Sequence, residues 1–422
     1  MNGTGPVMDA TCMDDFDPRS IVPEEALRRI RESITPVMET ERQGIRACVG
    51  RILAEDIRSG ADVPPASNSA MDGYAIRGAD IPKEGARELR VIGTAFAGRP
   101  LSATLQPATA ARIMTGAILP EGADTVVMQE SVERHGDTIR VRADVRPGDH
   151  VRLAGEDIRA GETVLNEGHR LTPADIGLLA SLGIGEVQVR RRPRVAYFST
   201  GDELRSIGEA LGPGDIYDSN RYTLSGMLEH LRVDTLDLGV VRDQREAVEA
   251  AFRAAAAKAD VIIASGGVSV GEADYVKETL DKMGKVEFWK VAMKPGRPLA
   301  FGRVDRAWFF GLPGNPVSVM VTFYQFVQPA LRQLMGDRTA PIPGVRVRCA
   351  SKLKKRPGRV EYQRGILERD ETGELVVRKT GAQGSGILRS MSQANCFIVL
   401  PLENAGVEPG ATVEVQPFFG LV

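Results

Sequence analysis

The sequence predicts a multidomain α/β protein built around a three-layer α/β domain. Three observations carry this. At 422 residues the chain is too long for one core, since a domain takes roughly 100–200 residues. From Arg194 to Gly336, apolar β-branched or aromatic runs alternate with helical patterns, the signature of a largely parallel sheet covered by helices. Between Ile262 and Pro316, three runs, IIASGGVSVGEADY, FWKVAMKPGRPLAFG and WFFGLPGNPVSVM, each lead into a turn dense in Gly and Pro. Such turns sit at the carboxyl edge of a parallel sheet, where open α/β folds bind ligands.

The first residues, MNGTGPVMDATCMDDFDP, are acidic and lack a basic start and an apolar stretch, so 1–18 reads as a disordered tail and not a signal peptide. An amphipathic helix is expected from Ile21 to about Met38, opened by Pro23, Glu24 and Glu25, which suit the positive end of a helix. Residues 62–149, with runs such as LRVIGTAF and DTVVMQE, read as a small β-rich module. Residues 150–190 return to helix, with Thr172 as N-cap before Pro173 and Gly183 as the stop. Residues 191–337 hold strands RVAYFST, VDTLDLGVV, DVIIASGG and AWFFGLPG, and helices SNRYTLSGMLEHL, QREAVEAAFRAAAAK, DYVKETLDKMG and PVSVMVTFYQFVQPALRQLMG. Residues 338–422 offer five strand-like runs parted by Pro, Gly and charged turns, a small β-barrel or sandwich.

The net charge of −2 gives no global pull toward nucleic acid or a membrane surface. Apolar runs stay well short of the roughly 18 residues that span a bilayer. Cys12, Cys48, Cys349 and Cys396 are far apart, which reads as reduced cytosolic thiols, and His135, His150, His169 and His230 lack zinc-ligand spacing.

Several residues carry a chemical and a structural reading side by side. The turn SGGVSVGEAD matches neither a P-loop nor Gly-x-Gly-x-x-Gly, yet Gly266, Gly267 and Ser269 would let backbone N–H groups approach an anion. The same glycines could serve the turn's geometry alone. Asp274 and Asp243 each precede a helix and suit an N-cap or capping box as well as a functional carboxylate. Lys290, Lys294 and Arg297 cluster around a Pro-Gly turn and suit a phosphate or another tetrahedral oxyanion; the plain alternative is a solvated charged loop. Asn315 and Pro316 form an N-cap and first-turn pair, with Pro313 stiffening the turn. Asp72, Thr115, Asp157 and Glu203 are each explicable as turn or cap residues. The stretch SKLKKRPGR reads as a solvated edge strand protected by lysines.

Taken together, NSAMDGYA, RIMTGAILPEGADTVVMQE, FSTGDEL, IYDSNRYTL, SGGVSVGEAD, KPGRP and LPGNPVS resemble, in order, the motifs of the molybdopterin molybdotransferase (MoeA) family, from about Arg19 to the end. The resemblance implies that residues 191–337 are a molybdopterin-binding domain. It implies that 19–61 and 150–190 form one discontinuous, elongated helical domain with the β-module inserted. It also implies a cytoplasmic enzyme that inserts molybdate into adenylylated molybdopterin with Mg²⁺-dependent release of AMP. The matching positions imply Mg²⁺ on Glu203, Asp243 and Asp274, with Asp72, Thr115 and Asp157 also at the reaction centre. They imply the oxyanion and pterin on Lys290, Lys294, Arg297, Arg364 and Ser385, beside Gly266, Gly267, Ser269, Pro313, Asn315 and Pro316. Family members are homodimers whose cleft combines two chains, so Asp72 and Thr115 would act in trans; molybdopterin adenylyltransferase and cofactor-receiving molybdoenzymes are the implied partners. Two rivals share the central domain: a molybdopterin adenylyltransferase, and a non-catalytic scaffold that clusters partners.

Overall fold

The computed structural model describes residues 20–266 and 275–418. The expected tail at 1–18 therefore lies outside the described residues. The described chain divides into two compact units: residues up to Glu41 with those from Arg190 onward, and Arg42–Val189. Helix α1 (Pro23–Ser33) starts as the sequence predicts, with Pro23 in its first turn and Ala26 and Ile30 buried. It stops at Ser33, short of the expected Met38. Pro36 disfavours helix at the residue before it. In addition, the Gln333 side-chain amide donates to Arg31 O and Ile34 O at 2.6 and 2.7 Å, and Val37 N–H donates to Leu334 O.

Within Arg42–Val189, six strands form one sheet in the order Thr125–Met128, Gly73–Ile76, Thr109–Ile113, Ala86–Ala95, Thr138–Arg142, Glu133–His135. Side chains alternate across a strand. Tyr74 and Ile76 therefore join Leu89, Val127 and Val141 on one face, while Ala75 joins Ala111, Ile113 and Val126 on the other. The stretch expected to be helical after residue 150 is corrected by the structure. It contains strands Val151–Arg152, Thr163–Leu165 and Glu186–Arg190 and a single helix, α2 (Pro173–Ser181). Its glycine-punctuated turns leave no helical run longer than α2. Thr172 caps α2 with a reciprocal capping box to Asp175, and Gly183 adopts the left-handed conformation beyond its end.

In the other unit a six-stranded sheet runs in the order Asp234–Val241, Arg194–Thr200, Val261–Ser265, Ala307–Leu312, Pro298–Val304, Gly284–Lys290. The first four are parallel, and the last two pairings are antiparallel, so Pro298–Val304 runs against the parallel four and Gly284–Lys290 runs with them. Helices α3 (Ser219–His230), α4 (Arg245–Lys258) and α5 (Tyr275–Met283) connect the strands. Phe198, Ile262, Ala264 and Phe309 pack under Val248 and Phe252 of α4 and Val276 and Leu280 of α5, with Phe198 and Phe252 edge to face at 5.3 Å. Tyr197, on the opposite sheet face, meets Ser225 of α3, which makes three layers.

The long helix expected from Pro316 is α6 (Pro316–Thr322), a π-helical turn Phe323–Val327, and α7 (Gln328–Leu334). Pro329 lacks the N–H that an α-helix would direct to Gln325 O, and the widened turn accommodates it. Strands Val345–Cys349, Val360–Arg369, Leu375–Lys379, Cys396–Leu400 and Thr412–Pro417 close into a five-stranded barrel around Val347, Val377, Ile398 and Val415. A short strand, Met293–Lys294, leaves the sheet and pairs with Val360–Glu361, joining the barrel to the α/β layers.

Candidate functional site

Strands ending at Thr200, Ser265 and Leu312 open their carboxyl edge onto a cavity of 910 Å³. Two buried residues at the start of α3 tie these ends together. Asp218 is the N-cap of α3, and its Oδ1 accepts from Arg221 N–H and Ser199 Oγ. Asn220 donates through Nδ2 to Ser265 Oγ at 2.9 Å and to Gly314 O at 2.7 Å. Gly266 has φ +88, and a Cβ there would lie 2.6 Å from Thr200 O, so only glycine lets these two strand ends meet. The turn that follows, with Gly267, Ser269 and Asp274, lies outside the described residues.

One wall is acidic. Glu203 and Asp243 both line the cavity. Asp243 does not cap α4: Gln244 occupies the cap position, and no side chain caps that helix. Its N–H donates to Asp202 Oδ1. Partial burial, and then the charges of Asp202 and Glu203, hold the Asp243 carboxyl above the usual aspartate range. Among the described residues no three His, Cys, Asp or Glu side chains gather closely enough to hold a metal.

The facing wall is basic. Lys294, Arg297 and Arg359 line it, along with Pro313, Asn315, Pro316 and Ser385. Lys294 Nζ lies 3.5 Å from Glu361 Oε1, a carboxylate buried in the barrel. At Gly296, φ is +96 and a Cβ would come 2.6 Å from Thr322 Cγ2, so the Lys-Pro-Gly-Arg turn sits tightly against α6. Asn315 is the α6 cap residue by position, yet its side chain makes no cap bond; Val317 N–H is satisfied instead by Ser385 O.

Two expected cationic contacts stand apart from the lining. Lys290 is exposed at its strand end, outside the cavity wall. Arg364 is fully buried behind that wall: Nε donates to Ser390 Oγ and Nη2 to Gly384 O, while its backbone bonds the Gln383 side chain. Burial pushes its guanidinium down to about 10. Arg364 thus shapes the Gln383–Gly386 loop that forms part of the wall.

In the β-rich unit, Asp72 and Thr115 meet although 43 residues apart: Asp72 Oδ1 accepts both the Thr115 N–H and Oγ1 hydroxyl at 2.7 Å. These two bonds, then Arg112, hold the exposed Asp72 carboxyl below its usual range. Asp157 is exposed, with its N–H donating to Val63 O. Sequence reasoning missed Thr200, Asp218, Asn220 and Arg359. An Asp-Ser-Asn before a helical run is an N-cap signal that marks Asp218, but the reach of Asn220 to residues 45 and 94 positions away leaves no trace in a single sequence.

The chain matches the models of the MoeA N-terminal region (domain I and II) at 21–183, a probable molybdopterin binding domain at 196–333, and the MoeA C-terminal region (domain IV) at 346–418. It is 45% identical to a molybdopterin molybdenumtransferase of Haemophilus influenzae, over 94% of this chain and 98% of that one. A second molybdopterin molybdenumtransferase, from Nostoc, is 39% identical over 89% of this chain and 88% of its own length. The crystal structure of the molybdopterin biosynthesis moeA protein from Pyrococcus horikoshii superposes with a TM-score of 0.84 at 31% identity, covering 94% of this chain and all (100%) of that one. With matches over most of its length in both sequence and fold, the chain belongs to the molybdopterin molybdenumtransferase family.

Proposed function

We propose that this chain is a molybdopterin molybdenumtransferase: it takes adenylylated molybdopterin and molybdate, releases AMP in a Mg²⁺-dependent step, and leaves molybdenum on the pterin dithiolene. The observation that supports this most is the cavity itself, acidic on one wall and basic on the other. Two anions must meet in this reaction. Lys294 and Arg297 offset their repulsion, and the Pro313–Pro316 turn and Ser385 shape the pocket around them. Arg364 acts from behind, through the loop it holds.

The acidic wall suits a divalent cation. Asp243 and Glu203 face each other's charge without a hydrogen-bonded or ion-paired cation among the described residues, and carboxylates are the ligands Mg²⁺ favours. Glu203 and Asp243, with Asp274, would hold it. When bound, Mg²⁺ stabilises negative charge on phosphate oxygens.

The protein is further proposed to work as a homodimer in the cytoplasm, with the Asp72–Thr115 pair of one chain serving the cavity of the other. Exposed Met71 and Ile118 next to that pair support a contact surface there. No helix among the described residues is long and apolar enough to cross a membrane. Molybdopterin adenylyltransferase as supplier and a molybdoenzyme as recipient complete the proposed partners.

The test is turnover of purified protein with adenylylated molybdopterin. AMP release that requires both molybdate and Mg²⁺ supports the reading. Adenylylation of free molybdopterin from ATP would favour the adenylyltransferase reading, and neither activity would favour a scaffold.

A further inference from the structure

We infer that Arg359 is an oxyanion-binding residue of the cavity, a guanidinium that the C-terminal barrel supplies to a phosphoryl group or a free tetrahedral oxyanion. The inference rests on reading the cavity as an anion site. It concerns a stretch, SKLKKRPGR, whose plain reading is a solvated edge. The first part fits that reading, since Lys352 pairs with Glu408 at the surface. The rest does not. Lys355 is buried, and its ammonium donates to the carbonyls of Arg356, Leu402 and Asn404 at 3.2, 3.2 and 2.8 Å. Four residues on, Arg359 is half-buried in the cavity wall beside Lys294 and Arg297.

Three features mark Arg359 as poised for a ligand. Its backbone is pinned on both sides: Gly358 N–H donates to Leu402 O at 2.8 Å, and Val360 N–H donates to Ala292 O at 2.9 Å. Its guanidinium makes no hydrogen bond or ion pair with the described residues, whereas the neighbouring Lys294 is held by Glu361. Arg359 also sits among other cations, Lys294 and Lys355. Burial is the first cause that depresses the Lys355 ammonium; Glu361 and Glu403 oppose it, and Arg359 and Lys294 push it down further as like charges. An anion at the head of Arg359 would relieve that repulsion. A guanidinium offers two parallel N–H donors to a tetrahedral oxyanion, a geometry an ammonium lacks.

The experiment is isothermal titration of the full-length protein, wild type, Arg359→Ala and Arg359→Lys, with AMP as the phosphate probe and with molybdate. Thermal melting would confirm equal folding. Arg359→Ala is expected to weaken one of the two anions by roughly tenfold or more, the scale of a charge-assisted contact. Arg359→Lys should recover part of that loss. Weaker AMP binding alone assigns Arg359 to the nucleotide phosphate; weaker molybdate binding alone assigns it to the free oxyanion. Wild-type affinity for both anions in Arg359→Ala would overturn the inference and return Arg359 to the solvated surface. Wild-type protein that binds neither anion would overturn the anion-site reading together with this one.

Discussion

Replacing Arg364 by Met tests whether a buried cation here serves stability or position. The guanidinium is fully buried, donates to Ser390 Oγ at 2.9 Å and Gly384 O at 3.0 Å, and has no carboxylate partner among the described residues. Its fall from the ordinary arginine value to about 10 corresponds to a burial cost of about 3 kcal/mol, at roughly 1.36 kcal/mol per pH unit. Met keeps most of the side-chain volume and removes that cost. It also removes two charge-assisted hydrogen bonds, each worth about 1.5–3 kcal/mol. The net destabilisation should therefore be small, about 0–3 kcal/mol, whereas Arg364→Ala adds a cavity and should cost at least about 2 kcal/mol more. Urea denaturation of both variants measures this. The loop from Gln383 to Gly386 keeps its bonds to the residue 364 backbone but loses the side-chain contact at Gly384 in either variant, so ligand affinity should fall by about tenfold even where Arg364→Met melts close to wild type. A loss above roughly 5 kcal/mol for Arg364→Met would refute the reasoning, because it would mean the charge is compensated in a way the burial cost does not reflect.

Asp243→Asn should raise the melting temperature at neutral pH without metal and abolish any Mg²⁺-induced stabilisation. A carboxyl held above its ordinary range costs stability once ionised, so the gain should fade as pH falls toward the ordinary aspartate value; an unchanged Mg²⁺ response would exclude Asp243 as a ligand. Tyr324→Phe should leave stability unchanged or raise it by up to about 1 kcal/mol, because the buried hydroxyl has no hydrogen-bond partner among the described residues; a clear fall in calorimetric melting temperature would reveal one. Asp260 accepts from Arg191 at 2.9 and 3.1 Å and from Arg194 N–H at 2.7 Å. Burial alone would raise its carboxyl, but these donors outweigh it and hold it below the ordinary value. Asp260→Asn should thus cost about 1.5–3 kcal/mol at neutral pH, and the gap to wild type should close as pH falls below about 4; a gap that persists in acid would show the loss is steric.

The fold was legible where the physics is local. Three of the four parallel strands read as continuous apolar runs because both of their faces are covered, Val261–Ser265 being buried throughout, while the edge strand Asp234–Val241 mixes exposed and half-buried positions. Five barrel strands read from short runs between charged turns. The helical reading of residues 150–190 failed because short strands between glycine turns carry little periodicity. Glu203 and Asp243 share a cavity with Lys294 and Arg297 because the first two lie just beyond strand ends and the other two in the connection from Lys290 to Pro298, at one sheet edge. Arg364 was placed one layer too far forward: its strand is buried on both faces from Val360 to Gly365, so alternation could not say which way the side chain points. Helix α1 was read too long because Gln333, about 300 residues away, takes the carbonyls that would have continued it.

That last contact sets an order of events during synthesis. Helix α1 is made about 300 residues before its dock, since Ile21 bonds Lys290, and Arg31 and Ile34 bond Gln333. At about 5–20 residues per second, roughly 15–60 seconds separate the appearance of the helix from that of its dock. Throughout that interval Ala26 and Ile30 have no partner surface to cover them. Its full docking therefore waits until the last turn of α7 has been made.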